Sequence, residues 1–425
     1  MNHRCHDVIV VGLGAAGSAA AMHLARRGLR VLGLDRFDIP TSMGSSHGIT
    51  RLIRLCYFEH PDYVPLLRRA YELWREIEVE SSRRLLFETG GVYVGRPDGE
   101  LVAGSLAAAQ AHALAHEVLD RAELASRWPQ FRVPEDHVAL FEPAMGYLLC
   151  EPAIMAHAEL ALRCGADLRG QEPVLRWSMD GAGVRVETPR GTHLASRLLI
   201  TAGAWTAELA PRLGWPLRVT RQVVAWVWPK RPELFTEASG APSLGGNEQA
   251  GSMPGSAPGL SPASPRRAPR PHAFPCWAVQ HPGGGLHYGF PMARHGETGL
   301  GLKLGLHQPA DETHADRVDR SLRGDDEATV RDFLRSTLPD ADGPLLAMKV
   351  CLYTNTPDGH FAIDRHPEHA PVIVASPCSG HGFKFAPVIG EVLADLLERN
   401  STRHEIGFLR ATRWSQKPSS LDAPS

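Results

Sequence analysis

The chain has 425 residues, and its 45 lysines and arginines nearly balance its 47 aspartates and glutamates. A chain of this length can bury a large core and predicts about two domains. The balanced charge argues against a nucleic-acid partner, and no apolar run approaches the ~20 residues of a membrane span. Seven cysteines without paired spacing indicate free thiols. They predict a cytoplasmic protein, because that compartment is reducing.

Residues 7–35 have the pattern of a β-α-β unit. Residues 7–11 form a short apolar run, which is typical of a strand buried on both faces. Apolar and small residues then recur at helical spacing over 15–27, and Gly28 suits the end of that helix. Residues 29–34 predict a second strand that closes the unit.

Three glycines lie in the first turn of this unit. Gly12 permits the tight turn, Gly14 lets the backbone approach a pyrophosphate, and Gly17 lets the helix pack closely on the strand. The free N–H groups at the helix start favour an anion. Asp35 ends the second strand, where a carboxylate accepts ribose hydroxyls and disfavours a 2′-phosphate. The unit therefore predicts bound FAD or NAD, with a Gly-rich turn of another α/β protein as the alternative.

The rest of the chain predicts a mixture of helices and strands. Helices are expected at 63–76, 106–116, 121–128, 151–164, 325–337, and from Gly380–Lys384 to about 397. Strands are expected as a pair around Gly90-Gly91, over 174–187 and 193–201, at 222–228, as an antiparallel series over 273–307, and at 349–355 and 371–376. Residues 238–272 are dense in Gly, Pro and Ser and predict a disordered surface insertion, with a functional lid as the alternative. Residues 412–425 predict a disordered tail.

Five segments occur together in a specific order: the Gly12–Gly17 turn with Asp35, GSSHGITRLIR at 44–54, GLKLGLH at 301–307, VCLYTNTPDGHFAID at 350–364, and SGHGFKFAP at 379–387. This order resembles the monomeric sarcosine oxidase family, within the D-amino-acid-oxidase-like flavin amine oxidases, over about 5–410 without the insertion. The resemblance implies an α/β (α+β) fold with two domains. A Rossmann-like FAD-binding domain would comprise 1–85, 146–215 and 340–411. A substrate domain on a mainly antiparallel sheet would comprise 86–145 and 216–339.

The resemblance implies a monomeric, FAD-dependent oxidase of secondary amino acids. Such an enzyme oxidises a C–N bond to an imine and reduces O₂ to H₂O₂. Sarcosine is the leading substrate, while N-methyltryptophan, pipecolate and proline stay open, because Ala278 stands where sarcosine oxidases carry a larger methionine. Two other classes also stay open: a flavin dehydrogenase that passes electrons to a partner protein, and a flavin-binding protein without catalysis.

The resemblance assigns cationic residues to the site. Arg54 and Lys384 match the pair that binds the substrate carboxylate, for which arginine supplies a planar fork and lysine a point charge. Arg51 matches a position beside the flavin. Lys303 matches the lysine that activates O₂, since a fixed cation stabilises superoxide in a low-dielectric site. Strand alternation puts His307, a match to a pocket histidine, on the same face as Lys303; an ordinary solvent-facing lysine is the alternative.

The resemblance also assigns the remaining site residues. Cys351 matches the cysteine that carries an 8α-thioether to FAD, although most free cysteines are small buried hydrophobes. Attachment needs a thiolate, so we expect nearby positive charge to lower the pKa of Cys351. Tyr288 and Tyr353 match aromatic pocket residues, with core packing as the alternative, and His381 matches a residue near the flavin. The other positions matched to FAD binding are Arg36, Ser45, His47, Val174, Gly380 and Gly382.

Two patterns that suggest other chemistry are set aside. Residues 44–48 fit the G-x-S-x-G nucleophile elbow, but no apolar strand precedes them. His366 and His369 imitate a metal site, but Pro367 breaks any helix that would align them. We therefore expect neither a hydrolase nor a metal.

Overall fold

The computed structural model of the chain describes residues 6–237, 273–293, 301–307 and 311–414. The insertion predicted at 238–272 lies outside the described residues, as does the predicted tail beyond Trp414. Residues 412–414 are an exception to the tail prediction, because Ala411–Trp414 forms a 3₁₀ turn and Arg413 pairs with Asp358 at 2.6 Å.

The helices of the described residues follow the apolar periodicity of the sequence. Their bounds are α1 Ala15–Arg26, α2 Tyr63–Ser81, α3 Glu100–Ala111, α4 Arg121–Arg127, α5 Cys150–Arg163, α6 Thr206–Leu209, α7 Gly324–Thr337 and α8 Ala386–Arg399. Two of the predicted helices have different bounds from those expected. The helix expected at 106–116 begins at Glu100 and ends at Ala111, and Ala113 just beyond it has a φ of 49°. The last helix begins at Ala386, because Phe383–Phe385 forms a 3₁₀ turn first.

The strands account for most of the remaining predicted elements. Their bounds are β1 His6–Val11, β2 Val31–Leu34, β3 Thr50–Ile53, β4 Leu86–Glu88, β5 Gly91–Gly95, β6 Glu117–Leu119, β7 Val138–Glu142, β8 Gly146–Leu149, β9 Asp167–Arg169, β10 Arg176–Asp180, β11 Gly183–Thr188, β12 Gly191–Ile200, β13 Arg218–Val227, β14 Cys276–Gln280, β15 Leu286–Gly289, β16 Leu302–His307, β17 Leu345–Asn355, β18 Ala362–Arg365 and β19 Val372–Ser376.

The first sheet contains the predicted β-α-β unit. Its strand order is β10-β11-β12-β1-β2-β9, with β19 added to β12 and β18 paired to β19. β1 runs parallel to both β2 and β12, and its continuous apolar run is buried because helices cover the sheet. Helix α1 packs against both α5 and α8. The mixed α/β fold expected from the sequence is confirmed.

The second sheet is almost wholly antiparallel. Its order is β17-β13-β16-β15-β14-β5-β7-β6, and only the β14–β5 pair is parallel. β17 lies within the 340–411 segment that the predicted division placed with FAD binding, yet it pairs along its whole length with β13 of this sheet. The division into two domains otherwise stays a prediction.

The third sheet is small and corrects one expectation. It has the order β3-β8-β4. The pair predicted around Gly90-Gly91 was wrong, because β4 pairs with β8 while β5 joins the second sheet. Gly90 has a φ of 72°, a left-handed conformation that turns the chain from one sheet to the other.

One face of the second sheet positions the candidate site. Side chains alternate along a strand, so Lys303, Gly305 and His307 of β16 share a face. Across the sheet, Tyr288 lies opposite Gly305, and Ala278 lies opposite Tyr288. Within the described residues, no helix has the length and apolar character that crossing a membrane requires.

Helix α8 packs so closely on α1 that a side chain at Gly390 has no room. A Cβ there would lie 2.6 Å from the carbonyl carbon of Ala19. We predict that Gly390→Ala lowers the free energy of unfolding by roughly 1–3 kcal/mol, since overpacking forces packed elements apart. Gly407→Ala is the matched control, because no atom lies within 4 Å of a Cβ built there. Denaturant titration of both variants tests this, and equal loss of stability in the two would contradict it.

Candidate active site

Two positions, one in the turn between β1 and α1 and one at the start of α1, have room only for glycine. Gly12 has a φ of 90°, and a Cβ there would lie 2.6 Å from the carbonyl oxygen of Thr201. A Cβ at Gly17 would lie 1.8 Å from the carbonyl oxygen of Gly12. Gly14 precedes the first residue of α1, so the free N–H groups of that helix lie at the turn. The turn can therefore hold an anion against the backbone.

Asp35 is held rigidly at the end of β2. Its carboxylate accepts hydrogen bonds from the backbone N–H of Leu13 at 2.7 Å and of Phe37 at 2.9 Å. Burial raises the pKa of Asp35, and these two bonds oppose the rise. Each carboxylate oxygen has a further lone pair free for a ligand hydroxyl.

A single cleft connects this turn to the predicted substrate residues. It begins at the turn and Asp35, passes between the two large sheets, and ends among the predicted cations. The predicted site residues that line it are Gly12, Gly14, Asp35, Arg36, Ser45, Arg51, Arg54, Val174, Tyr288, His307, Tyr353, Gly380, His381, Gly382 and Lys384. Gly17, His47, Lys303 and Cys351 are not among the residues at its surface.

Arg54 and Lys384 are both buried at the end of this cleft. Arg54 is 6% exposed and Lys384 is 5% exposed, so neither side chain faces bulk solvent. They converge on Tyr57, whose ring centre lies 4.2 Å from the guanidinium carbon and 5.2 Å from the ammonium nitrogen. The Lys384 ammonium donates to the carbonyl oxygen of His381 at 2.7 Å. Burial lowers the pKa of Lys384 well below its usual range, and the neighbouring Arg54 adds to the effect.

Glu59 is an acidic residue that sequence analysis missed. Its Oε1 lies 2.5 Å from Nη2 of Arg54, and it lines the same cleft. Burial raises the pKa of Glu59, but the charge and hydrogen bond of Arg54, together with the nearby His381 and Lys384, outweigh burial and lower that pKa to about 2. Burial lowers the pKa of Arg54, but the charge and hydrogen bond of Glu59, together with Tyr57 and Tyr93, outweigh burial and raise it. Arg54 is therefore already paired with a carboxylate that belongs to the chain.

Lys303 is 2% exposed, so the solvent-facing alternative is wrong. Its ammonium donates to the carbonyl oxygens of Gly48 at 2.7 Å and Thr50 at 2.5 Å, and lies 3.3 Å from the Thr50 hydroxyl. Burial lowers the pKa of Lys303 to about 7, and the Arg51 charge acts in the same direction. The predicted position of His307 on the same face is confirmed by the strand register.

Arg51 and His47 flank this lysine. Arg51 donates to the carbonyl oxygens of Thr50 at 2.9 Å and Ser45 at 3.0 Å. His47 is buried, and neither ring nitrogen has a hydrogen-bond partner among the residues that the structure describes. Burial, reinforced by Arg51, lowers the pKa of His47 to about 3. The ring is therefore neutral and has a donor and an acceptor available for a ligand.

Tyr288, Tyr353, His307 and His381 line the cleft. Nδ1 of His307 lies 3.4 Å from the hydroxyl of Tyr353. Gly380 fits between these rings, since a Cβ there would lie 2.3 Å from Tyr353 and 2.8 Å from His307. His381 Nε2 lies 2.9 Å from the carbonyl oxygen of Gly359, so it carries the proton and Nδ1 accepts from the Tyr57 hydroxyl at 2.5 Å. Burial lowers the pKa of His381 to about 3 and of His307 to about 4.

The pKa of Cys351 is shifted in the direction opposite to the expected one. Burial raises its pKa, although Arg51 and Lys303 act to lower it. The expectation of a lowered pKa was wrong because desolvation outweighs the two cations. Cys378 lines the cleft itself and is partly exposed. The cleft thus has two nearby thiols with different access.

The two patterns set aside for other chemistry have structural roles. Residues 44–48 lie in a loop before β3 and lack the strand and helix of a nucleophile elbow. The rings of His366 and His369 stack 4.5 Å apart, and both contact the edge or face of Trp177. Among the described residues, no three His, Cys, Asp or Glu side chains are grouped so that they could hold a metal ion.

The family model for FAD-dependent oxidoreductases matches residues 7–396. The chain belongs to this family. A monomeric sarcosine oxidase from Streptomyces avermitilis is 39% identical over 414 residues, which cover 97% of this chain and 99% of that relative. An N-methyl-L-tryptophan oxidase from Salmonella arizonae is 35% identical over 413 residues, which cover 97% of this chain and 100% of that relative. The predicted family, enzyme class and use of FAD are thereby confirmed.

Solved structures support the same fold. NikD, described as an unusual amino acid oxidase essential for nikkomycin biosynthesis, matches with a TM-score of 0.77 and 25% identity. The match covers 96% of this chain and 97% of that one. The FAD-binding fold expected from the sequence is therefore confirmed.

The residues of the cleft fit FAD. Gly12 and Gly17 have no room for a Cβ against the protein backbone, so the tight turn that presents the start of α1 to a pyrophosphate is preserved. Asp35 is placed for a ribose, and the unpartnered ring of His47 is buried near Arg51 and Lys303. A ring that gains negative charge when it accepts electrons would be stabilised by the buried positive charge of this region.

We predict that Glu59→Gln strengthens binding of acetate about tenfold, because Arg54 then has no internal carboxylate to compete with the ligand. Titration of the flavin absorbance with acetate measures the effect. Glu72→Gln is the matched control, because Glu72 pairs with Arg69 on an exposed helix face at 2.9 Å. Unchanged or weaker acetate binding in the Glu59 variant would contradict this competition.

Proposed function

We propose that the chain is an oxidase of secondary amino acids that oxidises the C–N bond beside the carboxylate to an imine and reduces O₂ to H₂O₂. The observation that carries this proposal is one cleft that joins a dinucleotide turn to two buried cations, Arg54 and Lys384. The identity to the curated sarcosine and N-methyltryptophan oxidases over nearly the whole chain supports the same reaction.

The two cations orient the substrate. Arg54 supplies two parallel N–H donors and Lys384 a point charge, so a carboxylate between them is fixed in direction. Their shared contact with Tyr57 keeps both side chains at one end of the cleft. Glu59 already occupies an N–H donor of Arg54, so a substrate carboxylate competes with Glu59 for the same guanidinium.

Neutral groups surround the reacting nitrogen. His307 and His381 both have lowered pKa values and are uncharged at neutral pH. Gly359 and Tyr57 occupy both ring nitrogens of His381, so His307 is the ring that can accept a hydrogen bond from the reacting amine. Tyr288 and Tyr353 close the cleft on the side of the second sheet. FAD, when bound, takes two electrons from the C–N bond and delivers them to O₂. We assign no side chain as a dedicated general base.

Lys303 and Arg51 supply positive charge for the oxygen reaction. The Lys303 ammonium sits in a water-excluded position, where a cation stabilises a developing superoxide more than it would in water. Arg51 lines the cleft directly. We therefore propose Lys303 as the residue that activates O₂ and Arg51 as its neighbour beside the flavin.

Apolar residues beside Arg54 bear on the substrate. Leu52, Phe58, Ala278 and Leu286 line the cleft there. A substituent on the substrate Cα would contact this apolar surface, which favours larger N-methyl or cyclic amino acids as a second candidate to sarcosine. The free thiols support a protein of the reducing cytoplasm, since none of the six cysteines in the described residues forms a disulfide.

Anaerobic mixing of the holoenzyme with sarcosine, N-methyltryptophan, pipecolate and proline tests the function. At least one should bleach the oxidised flavin band, and O₂ should restore it with release of H₂O₂. A flavin that none of these amino acids reduces would overturn the proposal. A flavin that is reduced but reoxidised only by an electron-accepting protein would establish the dehydrogenase alternative.

We predict that Lys303→Met slows flavin reoxidation by O₂ about 100-fold while flavin reduction by substrate persists, because the fixed charge acts only on oxygen. The wild-type reoxidation rate should fall as pH rises through about 7, where the lowered pKa of Lys303 leaves the ammonium deprotonated. The Met variant should lack this pH step. Lys230→Met, at an exposed lysine that pairs with Asp342, is the matched control. Equal reoxidation rates in the Lys303 variant and wild type would rule out the role.

We propose that FAD is attached covalently through Cys351, with Cys378 as the competing thiol because it lines the cleft. We predict that acid-precipitated wild-type protein is yellow and that Cys351→Ser releases its flavin to the supernatant. Cys378→Ser is the matched control and should keep a yellow pellet. Release of flavin by Cys378→Ser alone would move the attachment to that thiol, and a yellow supernatant from wild type would exclude attachment.

A further inference from the structure

The loop between His47 and β3 has an unusual backbone. Ile49 has a φ of 71°, which β-branched residues rarely adopt, and Gly48 before it has a φ of 96°. Such conformations persist only when the surroundings hold them. Because this loop leads directly into Arg51 and Arg54, its conformation sets where two site cations lie.

Glu151 binds the donors of this loop. Its Oε1 accepts the N–H of Gly48 at 2.8 Å, and its Oε2 accepts the N–H of Ile49 at 3.1 Å. Glu151 lies in the first turn of α5, and the backbone N–H of Cys150 beside it donates to the Ile49 carbonyl at 2.8 Å. Both backbone groups of Ile49 are thus held by the start of one helix.

Lys303 binds the acceptors of the same loop. Its ammonium takes the carbonyl oxygens of Gly48 and Thr50, together with the Thr50 hydroxyl. An ammonium has three N–H donors, so these three acceptors use all of them. The loop conformation and the position of the Lys303 charge therefore depend on each other.

We propose that Glu151 is a positioning residue, which holds Gly48 and Ile49 in their left-handed conformation so that the loop carbonyls fix the Lys303 ammonium and Arg51 beside the cofactor. Glu151 is not among the residues that line the main cleft, so it acts through the loop and not on substrate. Neutralising it leaves two backbone N–H groups weakly satisfied and lets Ile49 relax to an ordinary conformation. That relaxation withdraws the Gly48 carbonyl from Lys303.

The test compares Glu151→Gln with Glu159→Gln in the holoenzyme. Glu159 is the matched control, because it lies on the same helix and pairs with Arg83 at the surface at 2.7 Å. We expect Glu151→Gln to speed amide hydrogen exchange in a peptide spanning 47–51 about tenfold and to slow flavin reoxidation by O₂ about tenfold, as expected for loss of a charge-assisted hydrogen bond. Glu159→Gln should change neither quantity.

A second substitution separates positioning from general loss of stability. Glycine adopts a positive φ without strain, so Ile49→Gly should restore part of the lost reoxidation rate in the Glu151→Gln background. A merely structural role of Glu151 in α5 would lower the melting temperature without rescue by Ile49→Gly. If Glu151→Gln does not fold, Glu151→Asp, which keeps the charge on a shorter side chain, replaces it with the same readouts.

The outcomes are distinguishable from failure of the proposed function. The reoxidation readout rests on that function, whereas the exchange readout depends only on the loop. Unchanged exchange at 47–51 in Glu151→Gln overturns the inference even if the enzyme oxidises secondary amino acids. Faster exchange with an unchanged reoxidation rate also overturns it, because the loop would then move without displacing the Lys303 charge.

Discussion

The burial of positive charge along one cleft is the constraint on which the site depends. Lys303, Arg54 and Lys384 are each nearly excluded from solvent, although an isolated buried cation is strongly unfavourable. Each is offset differently: Lys303 by backbone carbonyls, Arg54 by Glu59, and Lys384 by a carbonyl and the face of Tyr57. These offsets are incomplete, as the lowered pKa values of the two lysines show. An anionic ligand therefore gains affinity from charge that the protein has already desolvated.

The sequence alone could identify the nucleotide unit, because its glycines are required by sterics that are local to one turn. Gly12 and Gly17 lie where any side chain would overlap the backbone. The buried strand β1 beside them is predicted by its continuous apolar run. The antiparallel strands that end with β16 could also be predicted, since apolar and polar residues alternate along strands of a half-buried sheet. The same alternation places Lys303 and His307 on one face of β16.

The rest depends on contacts between distant segments. Glu59 looks like an ordinary acidic residue in its own stretch, and only the fold brings it to Arg54 in a buried position. The raised pKa of Cys351 could not be anticipated, because motifs report which charges are near but not how much solvent is removed. The chain reversal at Gly90 was equally hidden, because local β propensity does not specify which sheet a strand joins. Glu151 gave no signal at all, since its partners are backbone groups of another segment.

The route of the chain between its two large sheets has a consequence for how the molecule is assembled. Within the described residues, β1 and β2 precede β5–β7, the chain returns for β9–β12, leaves again for β13–β17, and comes back for β18 and β19. Neither sheet is therefore encoded by one continuous stretch, and no single cut could yield two halves that each hold a complete layer. Both sheets are therefore closed by strands that lie far apart in the chain, and such non-local pairing slows folding. Fusion or exchange of contiguous segments therefore cannot transfer the two large sheets as separate complete units.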